Sequence, residues 1–311
     1  MQQEMIYVYK VYEEGSFSKA AEKLYMTQPA LSISIQKIET EIGMPLFNRN
    51  CRPLKLTAAG EIYIDTIKKI MYLEKDRDQH LNDIRNLQTG TIRLGGSHYL
   101  NAYVLPKILA EFTHAYPGIK IEIVEAGSDV LADMLTERKL DMTFSCNPVF
   151  MRNFERYAVF EDHILLAVPS VHPINEHMKT CYLKPEDIIL KKHLEKGCPS
   201  VNLRSFQELE YILLSEGNNL HDRALSMFHE AGLEPTIKLT LSQLVTAYHL
   251  AAANVAATFT SDRMVCDPSV PLYFYKIDSE QTTRVFYALL SDRTYIPRAI
   301  KMFIQHLLIN S

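Results

Sequence analysis

The chain has no tryptophan, and none of its five cysteines (Cys51, Cys146, Cys181, Cys198 and Cys266) stands in a CxxC pair. The odd count and wide spacing argue against a zinc module or a secreted disulfide framework. Reduced thiols in a cytoplasmic protein are the simpler expectation. No stretch reaches the roughly 18 apolar residues of a membrane span. The first residues, MQQEMIYVYKVYEEG, lack the basic start and long apolar core of a secretory signal. No HExxH, GxSxG, P-loop or dinucleotide fingerprint occurs, so His98, His163, His172, His177, His221 and His249 have no recognised catalytic frame. A net charge of -4 denies the chain a global basic field. Any contact with nucleic acid must then use a local patch. What is present is 311 residues, 47% hydrophobic and 23% charged, enough for two or more globular domains.

Residues 15–60 carry the densest pattern, GSFSKAAEKLYMTQPALSISIQKIETEIGMPLFNRNCRPLKLTAAG. Ser18 is a candidate cap for a helix whose Ala20, Ala21 and Leu24 share one face. Tyr25 and Met26 interrupt that run. Thr27 then caps a second helix, with Pro29 in its first turn and apolar residues at Ala30, Leu31, Ile35, Ile38 and Ile42. Two short helices joined by a tight turn predict a helix-turn-helix, whose second helix enters the major groove. Its polar face holds Gln28, Ser32, Ser34 and Gln36. No acidic residue falls between Glu22 and Glu39 or between Glu41 and Glu61, and Arg49, Arg52 and Lys55 lie in the second gap. Such a window suits a phosphate-facing surface, although a solvated helical hairpin would read the same by charge alone.

These residues resemble the LysR-type transcriptional regulators. The shared pattern is Phe17, Ala20-Ala21, Leu24, Gln28-Pro29-Ala30-Leu31-Ser32, Ile38-Glu39, Gly43, Pro45-Leu46-Phe47, Arg49, Leu56-Thr57 and Ala59-Gly60. Where the family commonly has Arg then Gln, this chain has Ile33 and Ser34. Ile33 offers apolar contact, for example to a thymine methyl, or else it is a packing residue. The DNA-binding set is Ser18, Thr27, Gln28, Pro29, Ser32, Ile33, Gln36, Arg49, Arg52 and Lys55.

Residues 61–88 contain no Gly or Pro, and Tyr63, Ile67, Ile70, Leu81 and Ile84 follow steps of three and four. A long helix that pairs with a second copy is expected, or a surface helix packed on its own chain. The resemblance favours pairing and two half-sites on a dyad-symmetric operator. Beyond it an alternating α/β pattern begins. Strands are predicted at 91–95, 119–124, 140–145, 157–160, 164–169, 236–239, 255–259, 272–277 and 284–290, and 202–206 and 211–214 read as extended. Helices are predicted at 102–115, 129–138, 221–231, 242–253 and 297–308.

The resulting fold class is α/β with three parts. A winged helix-turn-helix occupies 1–58 and a linker helix 59–88. A two-lobed periplasmic-binding-protein-like effector domain follows at 89–311, with lobe I at 89–161 plus 267–311 and lobe II at 162–266. Ligands bind beyond the carboxyl ends of such strands and at helix starts. The candidate effector residues are therefore Ser97, Tyr99, Asn101, Ser128, Cys146, Asn147, Asn218, Asn219 and Thr260. Taken singly, each is also an ordinary cap or loop residue. Asn254 and Ala256 replace a family G-x-G, and Asn tolerates the left-handed conformation better than Ala.

The resemblance implies a cytoplasmic regulator with no cofactor and no catalytic residues. Its partners would be double-stranded operator DNA, a small-molecule effector and further copies of itself as dimer or tetramer, with RNA polymerase as a further candidate. No membrane is expected. Alternatives are an enzyme with a DNA-binding appendage, a solute-binding module, and a thiol-based redox regulator. Asn219 and Phe228 occupy the places of the disulfide-forming cysteines in peroxide-sensing members, which opposes the last. Cys198 reads as a half-buried small residue.

Overall fold

The computed structural model describes residues 3–49, 51, 53–84, 90–293 and 295–310. The chain divides into two units, Met1–Leu87 with Arg293–Pro297, and Gln88–Asp292 with Arg298–Ser311. Among the described residues, no helix is long and apolar enough to cross a membrane.

The first unit contains α1 (Gln3–Glu14), α2 (Phe17–Lys23), α3 (Gln28–Ile42), the hairpin β1 (Phe47–Asn48) and β2 (Lys55–Leu56), and α4 (Ala58–Ile84). Their apolar stripes meet in one core of Val8, Val11, Ala20, Ala21, Leu31, Ile35, Ile38, Leu46, Phe47, Ile64 and Ile67. The cap of α2 is Ser16, whose side chain accepts from Lys19 N, and not Ser18, which is exposed inside the helix. Thr27 caps α3 as expected, accepting from Ala30 N, and Gly43 ends that helix at φ 77°. Between them Tyr25 takes the left-handed conformation (φ 54°) and is 98% exposed. Gly60 is required by a close approach: a Cβ there would stand 2.0 Å from the carbonyl oxygen of Leu46.

The long helix appears as α4, but its apolar residues divide. Ile64 and Ile67 are buried in the unit's own core, whereas Leu73, Leu81 and Ile84 are exposed. Ile67 is thus not available to a second copy. Residues 85–88, the predicted end of the linker, lie outside the described residues.

The second unit holds β3 (Gly90–Gly96), α5 (Leu105–Ala115), β4 (Ile119–Glu125), α6 (Ser128–Thr136), β5 (Met142–Ser145), α7 (Pro148–Met151) and β6 (Glu155–Pro169). There follow α8 (Ile174–His177), α9 (Pro185–Ile189), β7 (Ser200–Val201), β8 (Glu210–Leu214), α10 (Asn219–Glu230), β9 (Thr236–Leu241), α11 (Leu244–Ala252), β10 (Ala257–Ser261), β11 (Leu272–Ile277), β12 (Thr283–Leu290) and α12 (Arg298–Asn310). The β-α-β repeats give parallel pairs, β3 with β4 and β5, and β8 with β9 and β10.

β6 is one strand where two were predicted. Its first part pairs with β12, up to Thr283 opposite His163. From Ile164 onward it pairs with β10 on one side and, from Leu166, with β11 on the other. Continuous burial from His163's neighbour Ile164 to Pro169 fits a strand covered on both faces. This pairing corrects the predicted lobe boundary. β11 belongs to the second half-sheet, beside β6 and β7, so residues 267–277 lie in lobe II and the chain returns only at β12. The apolar pattern of LYFYKI is satisfied in either half, and only register with Pro169, Val168 and Ala167 decides.

Two local corrections follow from side-chain capping. Residues 202–206 are not extended: Asn202 accepts from Arg204 N and opens a tight helical turn over Leu203–Phe206. Asn254 ends α11 in the left-handed conformation (φ 62°), and β10 starts at Ala257, two residues later than expected.

Candidate functional site

In the first unit α3 presents Gln28, Pro29, Ile33, Gln36 and Lys37 to solvent, with Ser32 and Ser34 half-buried beside them. Ile33 is 57% exposed, so it is not a packing residue of its own chain. Ser34 donates its hydroxyl to Ala30 O, and this back-bond turns it toward its own helix. Lys55 is exposed on the hairpin, and Arg52 lies outside the described residues. Arg49 has a more structural setting than expected. Its guanidinium pairs with Glu39 at 2.9 Å, approaches Ser32 Oγ at 3.4 Å and stacks over the Phe17 ring. Glu39 also accepts from Leu46 N at 2.8 Å. One carboxylate thus fixes the start of the hairpin to α3, and Arg49 ties α2, α3 and the hairpin together.

The second unit contains a cavity of about 210 Å³ beyond the ends of β3, β5 and β8. Seven of the nine candidate effector residues line it: Ser97, Tyr99, Ser128, Cys146, Asn147, Asn218 and Asn219. Ser128 begins α6, Asn147 caps α7 by accepting from Val149 N, and Asn218 caps α10 by accepting from Leu220 N. The Cys146 thiol donates to Asn219 Oδ1 at 3.2 Å and so joins one half-sheet to the other across the cavity. Burial raises the Cys146 pKa, which keeps this donor protonated.

Two candidates fall elsewhere. Asn101 is not in the cavity lining; its amide donates to Gly96 O at 3.1 Å and reaches Glu125, a lining residue, at 3.4 Å. Thr260 sits fully buried inside β10, opposite Leu165, because that strand starts late. Its hydroxyl faces Met264 Sδ at 3.5 Å.

The strongest charge at the cavity was not foreseen. Arg284, on β12, lines it while 5% exposed. Its Nε donates to Asp162, which is wholly buried and also accepts from Tyr99 (2.6 Å) and Ser261. Burial works against the Arg284 charge, but Asp162 more than offsets it and the guanidinium stays protonated. Burial, reinforced by Asp162, raises the Tyr99 hydroxyl well above its ordinary range, so it remains a donor. A single Arg directly before the apolar run VFYALL was the signal available in the sequence. His98 and Glu125, 3.1 Å apart, complete one rim.

A helix-turn-helix with an exposed second helix, joined to a two-half α/β unit with a polar cavity, defines a DNA-binding protein with a ligand-binding module. Residues 3–61 match the bacterial regulatory helix-turn-helix protein family of lysR type, and residues 85–310 match the LysR substrate binding domain. The chain belongs to the LysR family of DNA-binding transcriptional regulators. It is 25% identical over 308 residues to YcgK of Bacillus subtilis, named an uncharacterized HTH-type transcriptional regulator, covering 97% of this chain and 92% of that one. It is 29% identical over 299 residues to BenM of Acinetobacter baylyi, named an HTH-type transcriptional regulator, covering 93% and 90%. The fold matches full-length CbnR in complex with its target DNA, with TM-score 0.64, 18% identity and full coverage of both chains.

Proposed function

We propose that this regulator sits in the cytoplasm, binds a dyad-symmetric operator as a dimer or tetramer, and responds to a small anionic effector held in the cavity around Arg284. The target DNA bound by CbnR supports the reading of α3 as the groove-reading element. Ser32, Ile33 and Gln36 would meet base edges, while Gln28 and Lys55 would meet phosphates. The exposed Leu73, Leu81 and Ile84 of α4 support a pairing seam between copies. RNA polymerase is a further partner of such a complex.

The observation that carries the effector reading is Arg284 at the cavity wall, with the starts of α6 and α10 lining the same space. A guanidinium and free helix N–H groups favour a carboxylate or phosphate. A volume of about 210 Å³ limits the ligand to a small metabolite. Effector binding shifts the arrangement of the halves only by its differential affinity for the two states. The Cys146–Asn219 bridge across the cavity is a contact such a shift would change.

The role we infer is regulation rather than catalysis, as for the transcriptional regulators the chain resembles. Cys146, which lines this cavity, is a protonated thiol bonded to Asn219 and so a weak nucleophile. A thermal-shift screen of small mono- and dicarboxylates and phosphate esters against the full chain tests the reading. Ser97→Phe should abolish the shift by the responding compound and the transcriptional response, while leaving operator affinity intact. An unaltered response in that variant would remove the cavity from the account.

A further inference from the structure

A second cluster of polar groups lies on the opposite side of β6. Asp162 turns to Arg284, which lines the effector cavity. His163, the next residue, turns to a separate open cavity of about 940 Å³. Successive strand residues point to opposite faces, so the two sites share one strand. At the second cavity His163 meets Asp262, in the turn after β10, and Asp262 meets His193, in the turn after α9. His193 Nε2 stands 3.0 Å and His163 Nδ1 3.4 Å from the same oxygen, Asp262 Oδ2. All three donor atoms lie within 4.8 Å of one another.

The geometry points to a divalent transition-metal site formed by His163, His193 and Asp262, with Zn²⁺ the best-matched ion. Ligand bonds of about 2.0–2.2 Å arranged tetrahedrally set donor atoms about 3.3 Å apart. Two of the three edges are already near that length, and the third, between the imidazoles, is within 4.8 Å. Two imidazoles and one carboxylate suit Zn²⁺ better than Ca²⁺ or Mg²⁺, which take oxygen ligands. His193 is almost fully buried, and its Nδ1 has no hydrogen-bond partner. The carboxylate of Asp262 accepts from His193 Nε2; transfer of that proton to the unpartnered Nδ1 would free the Nε2 lone pair for an ion. His163 Nδ1 is likewise buried without a hydrogen-bond partner, although it faces Asp262. His163 and Asp262 both line the 940 Å³ cavity, which gives an ion and a fourth, water ligand access. A bound ion would clamp the turn at 192–194 to β6, the strand shared by both half-sheets, and to the turn after β10, outside the effector cavity.

The test is a Zn²⁺ titration of the full, untagged chain against a chromogenic chelator, with Co²⁺ spectra in parallel. One ion per chain is expected, with tetrahedral Co²⁺ bands that lack thiolate charge transfer. Zn²⁺ should raise the melting temperature of the wild type. His163→Gln, which changes a half-buried side chain, and Asp262→Asn should each weaken binding at least about a hundredfold. Cys266→Ser, at the same cavity, should leave the affinity unchanged. Absence of stoichiometric binding at ~100 µM Zn²⁺ would overturn the site, as would equal binding by the His163→Gln and Asp262→Asn chains.

Discussion

In the first unit the solvent-facing groups of α3 lie within a few turns of one another, between Thr27 and Lys37. Their direction follows from one helical period and one cap. In the second unit the cavity gathers Ser97, Ser128, Cys146, Asn218 and Arg284 from five separate segments. The pair at its base, Asp162 and Arg284, is 122 residues apart in sequence. A local surface is thus written in spacing, whereas a convergent one depends on strand register. A single change should therefore damage the two in different ways.

Arg284→Met should have the largest effect. It leaves Asp162 buried with its charge uncompensated and should cost about 3–5 kcal/mol. Denaturant unfolding followed at the α/β unit would report it, and operator affinity at low temperature should change little. A loss below ~1 kcal/mol would show that the pair adds nothing to the half-sheet junction. Gly60→Ala should rank next, at about 3 kcal/mol, because its Cβ meets the Leu46 carbonyl at 2.0 Å. Here operator binding should fail while effector-induced thermal shift of the second unit survives. Joint loss of both activities would blur the contrast drawn above.

Thr27→Ala removes the side-chain acceptor of Ala30 N and should cost about 1 kcal/mol. Lys55→Ala should reduce the salt slope of operator binding by about 1, equally on all sequences. The smallest effect concerns Cys146 and Cys198. Burial raises both thiols, so the thiolate is scarcer at neutral pH than for an ordinary cysteine, and alkylation should rise only as pH increases beyond the usual thiol range. Rapid labelling of either at pH 7 would reopen a thiol-based switch.

The first unit was legible because its signals are short-range. Thr27, Pro29 and Gly43 mark α3, and Gly60 has a steric reason that its sequence position alone does not state. The one local error, Ser18 for Ser16, arose because two serines flank Phe17 and either could cap. In the second unit elements were legible but their partners were not. β11 was placed in the wrong half because nothing in LYFYKI says that it pairs with Pro169 and Val168. Thr260 followed the same fault on a smaller scale: a two-residue shift after Asn254 moved it from a strand end to a strand interior. Arg284 was overlooked because its counter-charge lies at the crossing strand, invisible to any local window.

The most direct test of α3 as the reading element is fluorescence anisotropy of the full chain on duplex DNA from upstream of its own gene, against scrambled duplex, at ~150 mM salt. The wild type should prefer the upstream duplex by about a thousandfold or more. A chain carrying both Ser32→Ala and Gln36→Ala should lose at least tenfold of that preference while keeping its helical circular dichroism. Equal preference in the two chains, or none in the wild type, would contradict the account.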